Sequence, residues 1–474
     1  MAHRGCSCVA VTPQWNRRNF LSTMAAASIS AMLLGSCSSD VQHPAAPTGD
    51  AAPGSNPKPD TLFRNVRVLD VRAGRLGQPT DVLIRGNTIA AIGTGQPVTD
   101  SVAVIDGGGR TLMPGLIDNH VHLMFSSTTL DALEDPSHDM DYYAKGALAG
   151  AEAMLMRGFT AVRDMGGPIF PLKRAIDAGK AKGPRVWPSG AMISQTSGHG
   201  DFRTPSEPSR RFSGKEPRAE QLGATFIVDG RDEVLTATRE NLRFGASQIK
   251  LMAGGGASTM YDPLDVTQFT LDEMRAAVDA ASDWNTYVTV HAYTPKSVRR
   301  AVDAGITCIE HGQLLDQETV DLLAAKGIWL SGQYLSSVDD GKTPPSVLAK
   351  RKIVYEGNER VWPMAKKAGV KLAWGTDFLF NPDENKRQNG MLLALGEWFD
   401  TAETLRLATH DNAQLLAFSG PRTPYEGTLG VVEPGALADL LLVKGDPLAD
   451  IKIIADPDAN FDVIMKDGVL YKNR

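Results

Sequence analysis

Short apolar segments alternate with longer amphipathic stretches through the body of the chain. Eight apolar segments stand out, at residues 112–123, 159–166, 184–190, 247–253, 287–293, 306–312, 328–334 and 371–377. Their length and apolar character predict buried β-strands. The stretches between them predict helices, several of which end at a glycine. Eight strand-then-helix units predict an α/β fold, a (β/α)8 TIM barrel over residues 113–420.

The two flanks of this region have a different pattern. Residues 61–112 and 421–474 contain short strand-like runs joined by Asn and Gly turns. Each flank is too short to fold alone, so we predict one small β-sandwich domain formed by both chain ends. A doubly wound open sheet is the alternative for the central region, but the Gly-rich phosphate loop of that fold is missing.

The first residues have the features of a processing signal. Arg17 and Arg18 precede a short apolar stretch that ends in Leu-Gly-Ser-Cys at Cys37. Paired arginines before such a stretch resemble a twin-arginine export signal, and the last four residues resemble a lipobox with lipidation at Cys37. We expect residues 1–37 to be an export signal and residues 38–60, rich in Pro, Ala, Gly and Ser, to be a flexible linker. The expected product is a periplasmic or cell-envelope lipoprotein that meets the membrane through its lipid anchor only; a plain cleaved signal is the alternative.

Composition narrows the classes of function. The chain has 474 residues, of which 42% are hydrophobic, and a net charge of −6 with no basic cluster beyond the N-terminus. Nucleic-acid binding therefore has no electrostatic basis. Three of the four cysteines lie within the first 37 residues, so the body has no disulfide framework. We expect the remaining one, Cys308, to be a small buried residue.

His120 and His122 end the first predicted strand, in the sequence LMPGLIDNHVHL. Residues two apart on a strand point to the same face, and two neighbouring imidazoles are natural ligands for one metal ion. A lone His-x-His also occurs by chance on protein surfaces. A solvated surface, however, has no need of the apolar strand that precedes this pair, so we favour the metal-ligand interpretation.

Other predicted strands carry metal-competent residues at the same end. They are Lys250, His291, His311 and Asp377. In a barrel the carboxyl ends of the strands form one mouth, so these side chains are expected to converge with the first histidine pair. Each histidine taken singly could equally be a hydrogen-bonded core residue, but their joint placement favours a shared site.

Lys250 lies within an apolar strand, where an ammonium is unfavourable unless its charge is paired or removed. Carbamylation by CO2 would turn it into an anion that bridges two cations. The alternative is an ion pair with a neighbouring carboxylate such as Glu310.

Together these motifs resemble the metal-dependent amidohydrolase superfamily, over nearly all of residues 61–474. Ile-Lys-Leu-Met-Ala-Gly-Gly-Gly, His-Ala-Tyr and Ile-Glu-His-Gly resemble its imidazolonepropionase-like branch. That branch includes prolidase-like carboxypeptidases, Xaa-Pro and Xaa-Arg dipeptidases and ochratoxinase. Imidazolonepropionase proper is cytosolic and mononuclear, so an exported chain with a bridging-type lysine argues against that activity.

The resemblance implies a hydrolase of amide bonds with two divalent metal ions, most simply Zn2+, bridged by carboxylated Lys250. It places His120, His122 and Asp377 on one metal, and His291 and His311 on the other. It also makes Asp377 the catalytic acid–base, which takes a proton from water and passes it to the leaving amine.

Substrate contacts are predicted around a long polar loop, residues 191–230, because a loop of that length is usually a lid or a binding loop. His199 resembles a substrate-contacting histidine of the branch, and Tyr293 follows a metal ligand by two residues. Arg163 and Arg203 are candidate partners for a substrate carboxylate. For each of these residues a structural hydrogen bond or a solvated loop position is the alternative.

We therefore expect a carboxypeptidase-like enzyme that releases a C-terminal amino acid from N-acyl amino acids or peptides, ochratoxin A among them. The partner is a small molecule or peptide with a free carboxylate, and a homo-oligomer is expected. A cyclic-amide hydrolase or deaminase on the same scaffold is the alternative. A non-catalytic, ligand-binding lipoprotein is a third class, against which the complete ligand set argues.

Overall fold

The computed structural model describes residues 60–96, 98–259, 261–333 and 343–474. The predicted export signal with Cys37, and nearly all of the predicted linker, lie outside the described residues, so both stay predictions. Among the described residues, no helix has the length and apolar character that crossing a membrane requires.

The strands of the described residues are β1 (Thr61–Asp70), β2 (Arg75–Arg85), β3 (Thr88–Ile92), β4 (Ala103–Asp106), β5 (Thr111–Pro114), β6 (Leu116–Val121), β7 (Phe159–Asp164), β8 (Arg185–Pro188), β9 (Met192–Ser194), β10 (Thr225–Ile227), β11 (Ile249–Met252), β12 (Val288–Ala292), β13 (Cys308–His311), β14 (Trp329–Gln333), β15 (Lys371–Gly375), β16 (Leu440–Val443), β17 (Phe461–Lys466) and β18 (Val469–Asn473).

The α-helices are α1 (Leu130–Glu134), α2 (Met140–Met156), α3 (Phe170–Asp177), α4 (Arg210–Ser213), α5 (Arg218–Gln221), α6 (Arg231–Phe244), α7 (Leu271–Asp283), α8 (Pro295–Asp303), α9 (Gln317–Lys326), α10 (Pro345–Ala368), α11 (Pro382–Asn385), α12 (Gly390–Ala394), α13 (Thr401–Arg406), α14 (Asn412–Ala417), α15 (Lys452–Ala455) and α16 (Pro457–Asn460).

All eight strands predicted for the central region are present, as β6, β7, β8 and β11 to β15. They pair in parallel within two sheets, one with the order β6-β7-β8 and one with the order β10-β9-β11-β12-β13-β14-β15. The short strands β9 and β10 lie inside the segment predicted as a long loop. Parallel pairing puts the carboxyl ends of neighbouring strands on one side. The parallel α/β arrangement is therefore confirmed, although strand pairing among the described residues does not join the two sheets into one closed ring.

The first and last of the predicted strands nevertheless lie against each other. The backbone N–H of Asp377, just beyond β15, donates to the carbonyl of His120 in β6 (2.8 Å). Gly375 allows this approach, because a Cβ at that position would lie 2.4 Å from the backbone nitrogen of His120. The carboxyl ends of β6 and β15 are therefore neighbours.

Both chain ends contribute to a separate mixed sheet. Its order is β18-β17-β16-β5-β1-β2-β3, with β4 paired to β1. The N-terminal and C-terminal strands join where β5 pairs antiparallel with β16, from Thr111 opposite Val443 to Pro114 opposite Leu440. The joining of the chain ends is thus observed. The described residues form one sheet here, so the second layer of a sandwich stays a prediction.

The helices begin and end where local sequence signals place them. Thr270 and Glu273 form a capping box at the start of α7, which satisfies free backbone N–H groups. Gly327 and Gly369 end α9 and α10 in the left-handed conformation that glycine adopts readily. Cys308 is fully buried in β13, as its apolar surroundings predicted.

Candidate active site

Three side chains converge at the carboxyl ends of β6 and β15. Oδ1 of Asp377 lies 3.1 Å from Nε2 of His120 and 3.3 Å from Nε2 of His122. The ligand atoms of these residues all lie within 4.8 Å of one another, close enough to hold one ion. Both histidines are buried, whereas a quarter of the Asp377 side-chain surface is exposed. The cluster is therefore open on the side of its carboxylate.

The protonation pattern of this cluster fits a cation. Nδ1–H of His120 donates to Oε2 of Glu310 (2.9 Å), and Nδ1 of His122 lies 3.3 Å from the carbonyl of Gly166. Burial lowers the pKa of His122 and favours the neutral ring, whose Nε2 then carries a lone pair. Lone pairs that face a carboxylate oxygen repel it unless positive charge lies between them. Two imidazole nitrogens and a carboxylate oxygen are also ligands that Zn2+ accepts.

A second pair of histidines lies beside the first cluster. The rings of His291 and His311, at the ends of β12 and β13, have centroids 4.3 Å apart. Nε2–H of His291 donates to the carbonyl of Gly255 (3.1 Å), which leaves Nδ1 for a cation. Nδ1 of His311 is 3.9 Å from Oδ2 of Asp377. The second predicted ligand pair is therefore brought to the same carboxylate.

Two of these residues have unusual backbone conformations. His311 has a φ of 76° and Asp377 a φ of 57°, in the left-handed region that side-chain-bearing residues seldom adopt. Such conformations cost about 1–3 kcal/mol each and cluster at functional sites. Here they turn the two side chains at the strand ends toward each other.

Lys250 in β11 lies beside the first group of ligands. Its side chain is buried, and Nζ lies 3.5 Å from Nε2 of His120. Burial lowers the pKa of Lys250, which favours the neutral amine that reaction with CO2 requires. The alternative, a direct ion pair with Glu310, is not among the contacts of the described residues, because that carboxylate is taken by other groups.

The carboxylate of Glu310 is held by Arg163, which corrects one sequence prediction. Arg163 was predicted to bind a substrate carboxylate, but its side chain is 0% exposed and lies among the strands. NH2 of Arg163 donates to Oε1 of Glu310 (2.7 Å), and NH1 donates to the hydroxyl of Tyr287 (3.0 Å). Thr289 also donates to Oε1 of Glu310 (2.6 Å). With its donors engaged inside the protein, Arg163 is not available to a ligand.

Glu310 is a functional residue that sequence reasoning did not identify. Burial alone would raise its pKa, but the charge of Arg163 and the hydrogen bond from His120 outweigh burial and hold it well below the usual value. The anion fixes the His120 ring with Nε2 toward Asp377, as carboxylates that support metal ligands do. The sequence signal for this role is a glutamate in an apolar strand, directly before the candidate ligand His311, in Ile-Glu-His-Gly.

Asp118 supports the backbone of the site. Its Oδ1 accepts from the N–H groups of His120 (3.1 Å) and Thr376 (3.0 Å), and its Oδ2 accepts from the Thr376 hydroxyl (2.7 Å). The contact therefore ties the end of β6 to the end of β15, and it does not reach the imidazole rings.

His199 lies against the second histidine pair. Its ring stacks on that of His291, with centroids 4.1 Å apart, and Nδ1–H donates to Oδ2 of Asp262 (2.9 Å). Gly256 makes room for the ring, because a Cβ there would lie 1.8 Å from Nδ1 of His199. The same Asp262 oxygen accepts from the N–H of Gly256 (2.6 Å). The loop after β11 thus positions His199 beside the ligands.

Tyr293 also lies at the site. Its ring centroid is 4.9 Å from that of His291 and 5.1 Å from that of His311. Burial, followed by the negative charges of Asp377 and Asp262, raises the pKa of Tyr293, so the phenol keeps its proton and can donate a hydrogen bond.

Arg203, the second arginine predicted to bind a substrate carboxylate, is paired with a neighbouring aspartate. Its Nε and NH2 donate to the two oxygens of Asp201 (2.7 and 2.6 Å). This bidentate pair occupies one edge of the guanidinium and compensates its charge, and the predicted contact with a substrate carboxylate stays a prediction.

The comparisons identify the class of protein. The model of the amidohydrolase family matches residues 111–471 of this chain, so the chain belongs to that family. An ochratoxinase from Aspergillus niger is 32% identical over 376 residues, covering 76% of this chain and 75% of that protein. The chain is thus a relative of enzymes that hydrolyse carbon–nitrogen bonds, and the family implies a TIM-barrel-like α/β fold and a metal-dependent reaction.

Two solved structures agree with this assignment. A prolidase in complex with N-methylphosphonate-L-proline is 35% identical and superposes with a TM-score of 0.79, covering 88% of this chain and 100% of that chain. A Xaa-Pro dipeptidase with methionine bound in its active site is 29% identical, with a TM-score of 0.74 over 87% of this chain and 100% of that chain. The chain is therefore a hydrolytic enzyme with peptidase-like neighbours.

Arg163→Met should lower the free energy of unfolding by about 3–5 kcal/mol, because it leaves the Glu310 carboxylate buried without its counter-charge. Chemical denaturation would measure this change. The double variant Arg163→Met/Glu310→Leu should recover much of the stability and little of the activity, since the His120 ring loses its acceptor.

Arg387→Met is the matched control, since Arg387 is exposed and its loss should change stability by no more than about 0.5 kcal/mol. Wild-type stability in the Arg163→Met single variant would contradict the role of the ion pair.

Proposed function

We propose that this enzyme is a dinuclear metal-dependent amidase of the carboxypeptidase or dipeptidase type. It releases a C-terminal amino acid from N-acyl amino acids or peptides, and ochratoxin A is a plausible non-natural substrate. The observation that carries the proposal is the open cluster in which Asp377 faces the Nε2 atoms of His120 and His122. Relatives that include an ochratoxinase, a prolidase and a Xaa-Pro dipeptidase support the substrate class.

The residues suited to hold two divalent ions are those of the two neighbouring groups. His120, His122 and Asp377 would form one position, and His291 and His311 the other. Lys250 is buried, and its Nζ lies 3.5 Å from Nε2 of His120. Burial lowers its pKa, which favours the neutral amine. We expect this lysine to be carboxylated and shared between the two positions. When bound, such ions acidify water and polarise a carbonyl group.

Asp377 is the group suited to move the proton. It is partly exposed, whereas the histidines around it are buried. Asp377 would accept a proton from the attacking water and donate it to the nitrogen of the leaving amino acid.

The substrate class is tested with a set of related amides. We expect the highest kcat/KM on N-acyl amino acids or dipeptides with a free C-terminal carboxylate, and lower values on the corresponding C-terminal carboxamides. N-acyl-phenylalanine, Xaa-Pro and Xaa-Arg compounds would define the side-chain preference. Faster turnover of hydantoin-like rings or aminopurines would instead assign the chain to the cyclic-amide hydrolases or deaminases.

Lys250→Ala should reduce the metal content from two ions per chain to at most one and remove most of the activity, because the shared ligand is lost. Elemental analysis of the purified protein measures the content, and Lys352→Ala on the surface of α10 is the control. A wild-type enzyme that is fully active with a single bound ion would reject the dinuclear proposal. Near-normal turnover in Lys250→Ala would make this lysine structural.

Asp377→Asn should lower kcat by more than about 100-fold, because the amide keeps the size of the side chain but cannot accept the proton. Steady-state kinetics gives the value, and circular dichroism verifies the fold. Asp383→Asn, at an exposed aspartate a few residues further on, should leave kcat unchanged. An unaltered kcat in Asp377→Asn would refute its role in proton transfer.

A further inference from the structure

The N-terminal half of α10 lies over the loop that follows β11. Nζ of Lys350 donates to the backbone carbonyls of Gly256 (2.8 Å) and Asp262 (3.1 Å), and also to that of Thr259. These carbonyls belong to the loop that positions His199 beside the ligands. Lys350 therefore fixes this turn of the helix at the edge of the active site.

Arg351 follows Lys350 and lies on the same side of the helix as Val354, one turn further on. Val354 is fully buried and forms a small apolar cluster with Tyr293 and Ala257. Packing therefore places Arg351 on the Tyr293 side of the site.

Arg351 has no anionic partner among the described residues. Its Nε is buried and has no hydrogen-bond acceptor, which is unusual for a guanidinium donor. By contrast, Arg163 is paired with Glu310 and Arg203 with Asp201. The planar donor fork of an arginine matches the two oxygens of a carboxylate. Arg351 is thus a cation whose natural partner has to come from outside the described residues.

The neighbouring lysine does not offer a second cation to a substrate carboxylate. Lys350 is not available, because its ammonium already donates to three carbonyls.

We propose that Arg351 binds the free α-carboxylate of the substrate, and that it sets the preference for free acids. The inference rests on the proposed function and gives it a specificity-determining residue. The acid is selected by its charge and by its two coplanar oxygens, both of which a C-terminal carboxamide lacks.

The test compares one N-acyl-phenylalanine with its C-terminal carboxamide in the wild-type enzyme, Arg351→Met and Arg351→Lys. In Arg351→Met we expect kcat/KM for the acid to fall by roughly 10- to 100-fold, mainly through KM, as the loss of charge-assisted hydrogen bonds predicts. The value for the carboxamide should change little. Arg351→Lys should restore part of the preference, because it keeps the charge without the fork.

Inhibition by the product gives a readout that is separate from turnover of the variant substrates. Free L-phenylalanine should inhibit Arg351→Met more weakly than the wild type, while phenylalaninamide should inhibit both alike. Arg360→Met is the matched control, since Arg360 is exposed on the same helix and its loss should not alter the preference.

Two results separate this inference from the proposed function. If the wild-type enzyme itself does not prefer the acid to the carboxamide, the proposed carboxypeptidase-like function fails. If the wild type prefers the acid and a folded Arg351→Met variant keeps that preference, or loses both activities equally, the role of Arg351 is overturned. Should the methionine variant not fold, Arg351→Gln and Arg351→Lys provide the same comparison.

Discussion

The buried ion pair between Arg163 and Glu310 is the interaction on which the site depends most. Glu310 has one oxygen on Arg163 and Thr289 and the other on Nδ1 of His120. Removing a buried charge from water costs several kcal/mol unless a partner and hydrogen bonds compensate it. Arg163 supplies that compensation, so the carboxylate stays ionised and can orient the imidazole. The geometry of the ligands at the strand ends thus depends on this buried ion pair among the parallel strands.

The backbone around this ion pair is constrained so that the ligands lie close together. Gly375 lets the end of β15 approach His120, and Asp118 ties the same two strand ends through backbone hydrogen bonds. The left-handed conformations of His311 and Asp377 then turn their side chains into the space that results. Local strain of this kind persists only where the surroundings determine the conformation. Here those surroundings are paired strands, which are more rigid than the loops.

Much of the fold and of the ligand set could be predicted from the sequence, because both depend on the periodicity of strands and on the position of polar residues at their ends. The two-residue period of a strand placed His120 and His122 on one face, and the parallel arrangement placed the later ligands at the same end. All eight predicted strands are observed. The three-residue strands β9 and β10 were missed, since so short a run in a polar segment has no measurable period.

The roles of the arginines could not be predicted from the sequence. Arg163 in β7 has the same pattern whether its side chain lies among the strands or at their mouth, and only the position of Glu310 on another strand decides. Arg351 was not among the predicted substrate contacts, because it lies in a helix and not at a strand end or in the long polar loop. Helical periodicity gives the face on which Arg351 lies, but the tertiary fold alone determines that Tyr293 is beneath that face.

The metal-ligand residues and the unpaired arginine occupy different parts of the site. Metal binding requires acceptors, and the ligand set supplies imidazole nitrogens and the Asp377 carboxylate, with Glu310 behind them. The carboxylate of a substrate, as distinct from its scissile carbonyl, needs a donor outside this ligand set. The arginine behind the ligands cannot serve, because Glu310 neutralises it, and Arg203 is neutralised by Asp201. Arg351 on the covering helix is the candidate that remains, since Lys350 fixes α10 to the loop and the helix belongs to neither group of ligands.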